Sequence, residues 1–179
     1  MKSKTKPKIA LIGLGRMGRT HALALREIKE LEVVAVVDPS PASREAAGDV
    51  FPGVATFDDC SHAFELADAC IIASPTPSHP ATVKNALLAG LHVLCEKPLA
   101  LDVQTARQLH QQAADADRIL QVGHWRRFSP PWLRAKELLD QGAIGKPLFI
   151  RLSQWDANPP PASFCDPSVS GGLAIDCGV

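Results

Sequence analysis

The chain has 179 residues, 46% hydrophobic and 21% charged, and its 19 basic and 19 acidic side chains balance to a formal charge of zero. That composition is ordinary for a globular protein, and its charge balance argues against nucleic acid or a membrane surface as a bulk electrostatic partner. No apolar run approaches the ~20 residues of a membrane span. The five cysteines, at 60, 70, 95, 165 and 177, form no C-x-x-C pair. Reduced thiols in a cytoplasmic setting are expected, not a disulfide framework or a metal site.

Residues 1–7 read as a flexible basic tail without the apolar core of a signal peptide. Ile9–Ile12 is a short continuous apolar run, the pattern of a parallel strand covered on both faces. Gly13-Leu14-Gly15-Arg16-Met17-Gly18 follows as G-x-G-x-x-G. Between a strand and an amphipathic helix this pattern points to a dinucleotide site. Gly13 is expected to make the tight turn, Gly15 to admit a pyrophosphate, and Gly18 to let the helix pack closely. The amides and dipole of the helix start, at Arg16 and Met17, would hold the anion.

Apolar residues at Met17, Ala24, Leu25, Ile28 and Leu31 predict a helix from Arg16 to Glu30, with His21 packed on the same stripe. Leu31–Val37 is the second strand, closed by Asp38, 20 residues after Gly18, where a carboxylate meets ribose hydroxyls. Pro39-Ser40-Pro41 caps a helix over Ala42–Ala47, ended by Gly48. Val54–Phe57 and Ala69–Ala73 are further strands, with a helical turn after Ser61. Ser74-Pro75-Thr76-Pro77-Ser78-His79-Pro80 is a rigid loop at a carboxyl strand end, where open α/β sheets bind ligands. Ser78 is expected to cap the next helix, and Gly90 to end it.

His92–Cys95 is the fifth strand and delivers Glu96-Lys97-Pro98 to the same edge. Asp102 caps a helix, and Ile119–Val122 is the sixth strand. The alternation implies an α/β fold, a Rossmann-type doubly wound parallel sheet over residues 8–124. From residue 125 a second layer begins: a helix capped at Ser129-Pro130 and ending near Gly142, then an alternating strand over Leu148–Trp155.

Lys97 is the first candidate for chemistry. An ammonium at a ligand-binding strand end can polarise a hydroxyl or carbonyl oxygen, and the turn itself has no need of a lysine. A cis Lys97–Pro98 bond is expected to aim it inward. Asp176, flanked by glycines in Gly171-Gly172-Leu173-Ala174-Ile175-Asp176-Cys177-Gly178, is either a site carboxylate or a helix cap. His79 either faces the nicotinamide half of the crevice or is a helix-start histidine satisfied by backbone. Arg126 and Arg127 lie between Trp125 and Phe128. A wider basic surface is lacking, so one arginine aimed at a polar substrate is the economical reading.

These motifs together resemble the Gfo/Idh/MocA oxidoreductases. The resemblance runs from Lys8 onward and rests on the glycine loop, Pro75-Thr76-Pro77-Ser78-His79, His92-Val93-Leu94-Cys95-Glu96-Lys97-Pro98, Arg126-Arg127-Phe128 and Ile144-Gly145-Lys146-Pro147. The segment from Arg151 to Gly172 looks most like the inositol and sugar dehydrogenase branch. The resemblance implies a Rossmann domain followed by the start of an α+β substrate domain over 125–179. It implies hydride transfer between a nicotinamide and a polyol or sugar carbinol, by a homo-oligomer at full length.

It also implies site residues. Gly13, Leu14, Gly15, Arg16, Met17, Asp38, Ser74, Pro75, Thr76, His79, Glu96 and Lys97 would bind the cofactor. Lys97 would polarise the reacting oxygen, Asp176 would orient substrate, and Trp125, Arg127 and Trp155 would line its pocket. The family's catalytic histidine would follow Val179, so this chain alone is expected to turn over poorly. Asp38, with no basic residue directly after it, favours NAD over NADP; Arg44 is the reservation, since a helix turn would bring it back.

Three other readings compete. One is a catalytically inactive nucleotide-binding regulator of the same fold. Another is a relative acting on a dihydrodiol or bilin. The third, a methyltransferase using S-adenosylmethionine, fits the Glu-Lys-Pro box and the proline-rich loop badly.

Overall fold

The computed structural model describes residues 5–153, 162–172 and 175. Six parallel strands form one sheet: β1 (Lys8–Ile12), β2 (Glu32–Val37), β3 (Ala55–Phe57), β4 (Ala69–Ile72), β5 (His92–Cys95) and β6 (Leu120–Val122). Their order is β3-β2-β1-β4-β5-β6. The connections after β1 and after β3 run to opposite sides, so a crevice opens at the carboxyl ends of β1 and β4. The helices are α1 (Arg16–Glu27), α2 (Pro41–Val50), α3 (Ser61–Leu66), α4 (His79–Leu88), α5 (Val103–Asp115), α6 (Pro130–Asp140) and a single turn, α7 (Pro167–Ser170). This is the doubly wound α/β fold expected from the sequence.

Alternate strand residues feed two cores, as the two-residue period of a strand requires. Ala10, Ile12, Ala35, Val37, Cys70, Ile72, Val93 and Cys95 pack against Ala63, Phe64, Val83, Leu87 and Leu109 from α3, α4 and α5. Leu11 and Val36 point the other way, to Leu14, Ala22 and Ala47 under α1 and α2. Leu11 and Ile72 are fully buried; each such side chain contributes about 1.5–3 kcal/mol.

Several local expectations are corrected. Helix α1 stops at Glu27: Ile28 is extended (φ −92°, ψ 99°) and 43% exposed, because the chain must turn there to bring the Glu32 N–H onto the Pro7 carbonyl and start β2. Helix α2 runs through Gly48 to Val50, and Gly53 is the residue with left-handed φ (+79°) that reverses the chain. Ser78 does not cap α4: its Oγ is 2.8 Å from the Pro75 carbonyl oxygen and 2.7 Å from Ser74 Oγ, closing a 3-10 turn over Thr76–Ser78. Ser129 stands at the N-cap of α6 without a side-chain cap bond. Gly90 (φ +82°) and Asp102, whose Oδ1 accepts from the Thr105 N–H at 2.7 Å, end α4 and begin α5 as expected.

The strand expected from Leu148 is not formed among the described residues 148–153. No described neighbour supplies a ladder there, and Leu148 and Phe149 are 92% and 84% exposed. Residues 154 and 155 lie outside the described part. Among the described residues, no helix is long and apolar enough to cross a membrane.

Candidate cofactor and active site

The glycine loop leaves β1 at the switch point. Gly13 has φ +90°, and a Cβ there would lie 2.7 Å from the Ser74 amide nitrogen and 2.8 Å from the Ala73 carbonyl. Only glycine accommodates that approach of β1 to the loop after β4. Gly18 meets the loop and not the strand: a Cβ would overlap the Gly13 carbonyl oxygen. Gly15, by contrast, has open space where its Cβ would be. It stands at the N-cap of α1, with no side-chain cap and no acidic residue in the first turn. The first amides of a helix have no intrahelical acceptor. Open space, uncapped amides and a positive dipole end thus coincide over Gly15, which fits a pyrophosphate.

Asp38 is fixed by the same loop. Its Oδ2 accepts from the Leu14 N–H at 2.7 Å and its Oδ1 from the Ser40 N–H at 2.9 Å. Each oxygen keeps a lone pair for a ribose hydroxyl. Arg44 does come back: its Nη1 donates to the Asp38 carbonyl at 2.7 Å and to the Pro39 carbonyl at 3.1 Å. The guanidinium is thereby held against backbone carbonyls beside the carboxylate.

On the other side of the crevice β5 delivers Glu96 and Lys97, and the Lys97–Pro98 bond is cis. Glu96 is 8% exposed. Its Oε1 lies 2.8 Å from His21 Nε2 on α1, and its Oε2 accepts from the Lys97 N–H at 3.2 Å. Gly123 leaves room for it, since a Cβ there would come within 3.3 Å of the carboxyl group. Burial pushes the Glu96 carboxyl up, but the hydrogen bond and charge of His21, the Lys97 N–H and the Lys97 charge together hold it below the ordinary glutamate value. His21 is therefore a hydrogen-bond partner of Glu96, not the core residue its helical stripe implied. The two residues are 75 positions apart, so no local pattern announced the pair.

His79 takes the backbone-satisfied alternative. It is 1% exposed, with Nδ1 2.8 Å from the Pro98 carbonyl oxygen and Nε2 2.8 Å from that of Ser74. The ring ties the loop after β4 to the Glu-Lys-Pro turn and leaves neither nitrogen open to a dinucleotide. Thr76 is nearly as buried, while Ser74 is partly exposed and Pro75 exposed.

Lys97 opens into a cleft of about 760 Å³ that runs along β6. His110, His124, Trp125, Arg126, Arg127 and Phe128 contribute to its walls. The Arg126 guanidinium stacks 4.9 Å from the centre of the Trp125 ring. Lys97, Trp125 and Arg127, separated in the sequence, thus share one cavity. Asp176 and Trp155 lie outside the described residues.

Comparison with known proteins agrees with this geometry. Residues 7–124 match the Gfo/Idh/MocA model, described as an oxidoreductase family with an NAD-binding Rossmann fold. The chain belongs to the Gfo/Idh/MocA oxidoreductase family. Within it, the chain is 36% identical over 176 residues to the rhizopine catabolism protein MocA of Rhizobium meliloti, covering 98% of this chain and 55% of that protein. It is 33% identical over 170 residues to an inositol 2-dehydrogenase of the same species, covering 94% and 51%. A crystal structure of scyllo-inositol dehydrogenase from Lactobacillus casei, with bound NAD(H) and scyllo-inositol, superposes with a TM-score of 0.74 at 34% identity, over 79% of this chain and 43% of that one. The chain spans about half the length of the curated relatives it matches. NAD is the family's cofactor, and the open glycine loop and the doubly anchored Asp38 fit it.

Proposed function

We propose that this chain is the cofactor-binding part of a dehydrogenase that oxidises a carbinol of a polyol or sugar. The observation that carries this reading is the placement of Lys97 at the end of β5, between the dinucleotide crevice and the cleft beside β6. Residues 8–124 form the cofactor unit, and the chain from 125 begins the substrate part. NAD, when bound, supplies the hydride acceptor.

The chain's own residues do the rest. The Gly15 amide and the first turn of α1 hold the pyrophosphate, and Asp38 orients the adenosine ribose. The Lys97 ammonium sits at the reacting oxygen, where it stabilises developing negative charge and passes on a proton. The Glu96–His21 pair and the buried His79 fix the turn that carries Lys97, and so act as positioning residues. Trp125 and Arg127 form one wall of the substrate cleft, and Asp176 and Trp155 are assigned to the same pocket by family resemblance. The relatives named for inositols support a cyclic polyol or an aldose as the substrate class.

The test follows NAD reduction by absorbance across a panel of inositols and aldoses, with Lys97→Met beside the parent chain. The expected outcome is slow polyol-dependent NADH formation by the parent chain that falls about 10²–10⁴-fold further in the variant, as loss of a positioned acid–base group does. Turnover that survives Lys97→Met unchanged would refute the assigned role.

A further inference from the structure

A single helical turn does not hold itself in water, yet Ser170 at the end of α7 is only 2% exposed. The turn is closed locally at both ends. Asp166 at its N-cap accepts from the Ser168 N–H at 2.8 Å, and Gly171 beyond it has φ +79°. Ser170 can be buried because its hydroxyl is satisfied within the turn: Oγ accepts from the Gly172 N–H at 3.0 Å and donates to the Asp166 carbonyl at 3.3 Å.

The cofactor unit covers this turn. Helix α7 packs on the 3-10 turn Thr76–Ser78. Gly171 lies so close to the chain after the Glu-Lys-Pro turn that a Cβ there would be 2.9 Å from Leu101 Cδ2, and equally near Ile175 Cγ2. Thr76, Leu99 and Ala100 are buried as well. The two loops that the turn touches are those that His79 ties together through the Ser74 and Pro98 carbonyls. Ser74 is partly exposed and Pro75 exposed beside the crevice. One docked turn therefore bears on both loops at the carboxyl ends of β4 and β5.

We propose that Ser170 and Gly171 are positioning residues for the dinucleotide. By docking α7 on Thr76–Ser78 and Leu101, they hold the loops after β4 and β5 in the arrangement that meets the nicotinamide half of the cofactor. The inference rests on reading the crevice as the cofactor site. Docking and binding are then reciprocal: a docked turn that favours NADH is itself favoured by bound NADH, by the same factor. Asp176 follows Gly171 and Gly172 in the chain, so the same docking sets the start of the segment that leads to it.

Hydrogen exchange of the whole chain, read by mass spectrometry with and without saturating NADH, tests this. The amides of Val169, Ser170, Gly171 and Gly172 are hydrogen-bonded inside the turn, and they exchange when it opens. NADH should slow exchange across residues 166–172 as well as 74–79. Protection at 166–172 is a response that a merely structural contact does not give. In Gly171→Val the side chain forces the turn off Leu101. Exchange at 166–172 should then be fast. NADH, followed by energy transfer from tryptophan, should bind about fivefold or more weakly, the usual size of such a coupling. Gly171→Ala should fall between parent and valine variant. The exchange experiment on the parent chain decides the matter even where the valine variant does not fold. NADH binding that leaves 166–172 unprotected overturns the inference and leaves the cofactor reading intact. So does unchanged NADH affinity in a Gly171→Val chain whose turn exchanges freely. A folded parent chain that binds no NADH defeats the cofactor reading and the inference with it.

Discussion

His21 Nε2 lies 2.8 Å from Glu96 Oε1, so the helix that starts at the glycine loop is tied directly to the strand end that carries Lys97. The carboxylate is nearly buried and has two donors. Replacing His21 by leucine removes one of them and leaves a buried acceptor atom unmet, at a cost of about 1–3 kcal/mol. The urea midpoint of His21→Leu should fall accordingly, and His21→Gln, which still donates, should recover part of the loss.

The same pair predicts a pH dependence of stability. The Glu96 carboxyl titrates below its ordinary value of 4.5 in the folded chain. A group lowered on folding contributes stability above its unfolded value, and the contribution fades as pH falls through the folded one. Chemical denaturation of the parent chain and of Glu96→Gln should therefore show a stability difference at neutral pH that narrows below about pH 4.5. A difference that widened on acidification would contradict the sign.

Two glycines of the loop, Gly15 and Gly18, should separate cleanly in mutagenesis. Gly18→Ala sets a Cβ against the Gly13 carbonyl oxygen, which is backbone and cannot swing aside. About 1–3 kcal/mol of stability should be lost with cofactor binding. Gly15→Val meets open space, so the fold should keep its melting temperature while the side chain occupies the anion's place. Loss of NADH affinity without loss of stability is the expected signature, read by fluorescence titration beside thermal melts.

Asp38 and Arg44 act on cofactor choice in opposite directions. Asp38→Ser removes the charge that repels a 2′-phosphate and leaves Arg44 held beside the site. NADH should bind about tenfold or more weakly, roughly 1.4 kcal/mol, while NADPH gains. Adding Arg44→Ala to that variant should cancel the NADPH gain, since no other guanidinium is hydrogen-bonded to the Asp38 loop among the described residues.

Cysteine chemistry gives an independent check on the core. Burial pushes the Cys70 thiol up to about 12, and burial with the Asp59 charge pushes Cys60 up to about 11. Cys95, behind β5, is raised further by burial and by Cys70 and Glu96. Alkylation of the native chain at neutral pH, mapped by peptide mass, should, among the described cysteines, label exposed Cys165 first and spare Cys70 and Cys95 until the chain unfolds.

The parts of this site that the sequence made visible are those encoded locally. The glycine spacing, the strand-end Asp38 and the Glu-Lys-Pro turn each carry their meaning within a few residues of a strand terminus, and the doubly wound parallel class of the sheet follows from strand–helix alternation. The His21–Glu96 pair joins residues 75 apart in sequence through the packing of α1 over the sheet, and a helical stripe alone made His21 look like core. His79 was ambiguous for the converse reason: only the fold shows that carbonyls of two separate loops converge on its ring. The alternating run after Leu148 has the pattern of a strand, but pattern sets only which face is apolar. Without a neighbouring ladder among the described residues, its apolar side chains stand exposed.

The most direct test of the account is a titration of the folded chain with NADH and with NADPH, read by energy transfer from its tryptophans to the nicotinamide, with Gly15→Val as the matched control. Saturable binding that favours NADH and disappears in Gly15→Val is the predicted result. A chain that is folded by circular dichroism yet binds neither dinucleotide, or binds both as well with valine at position 15, would contradict the assignment of the glycine loop as the cofactor site.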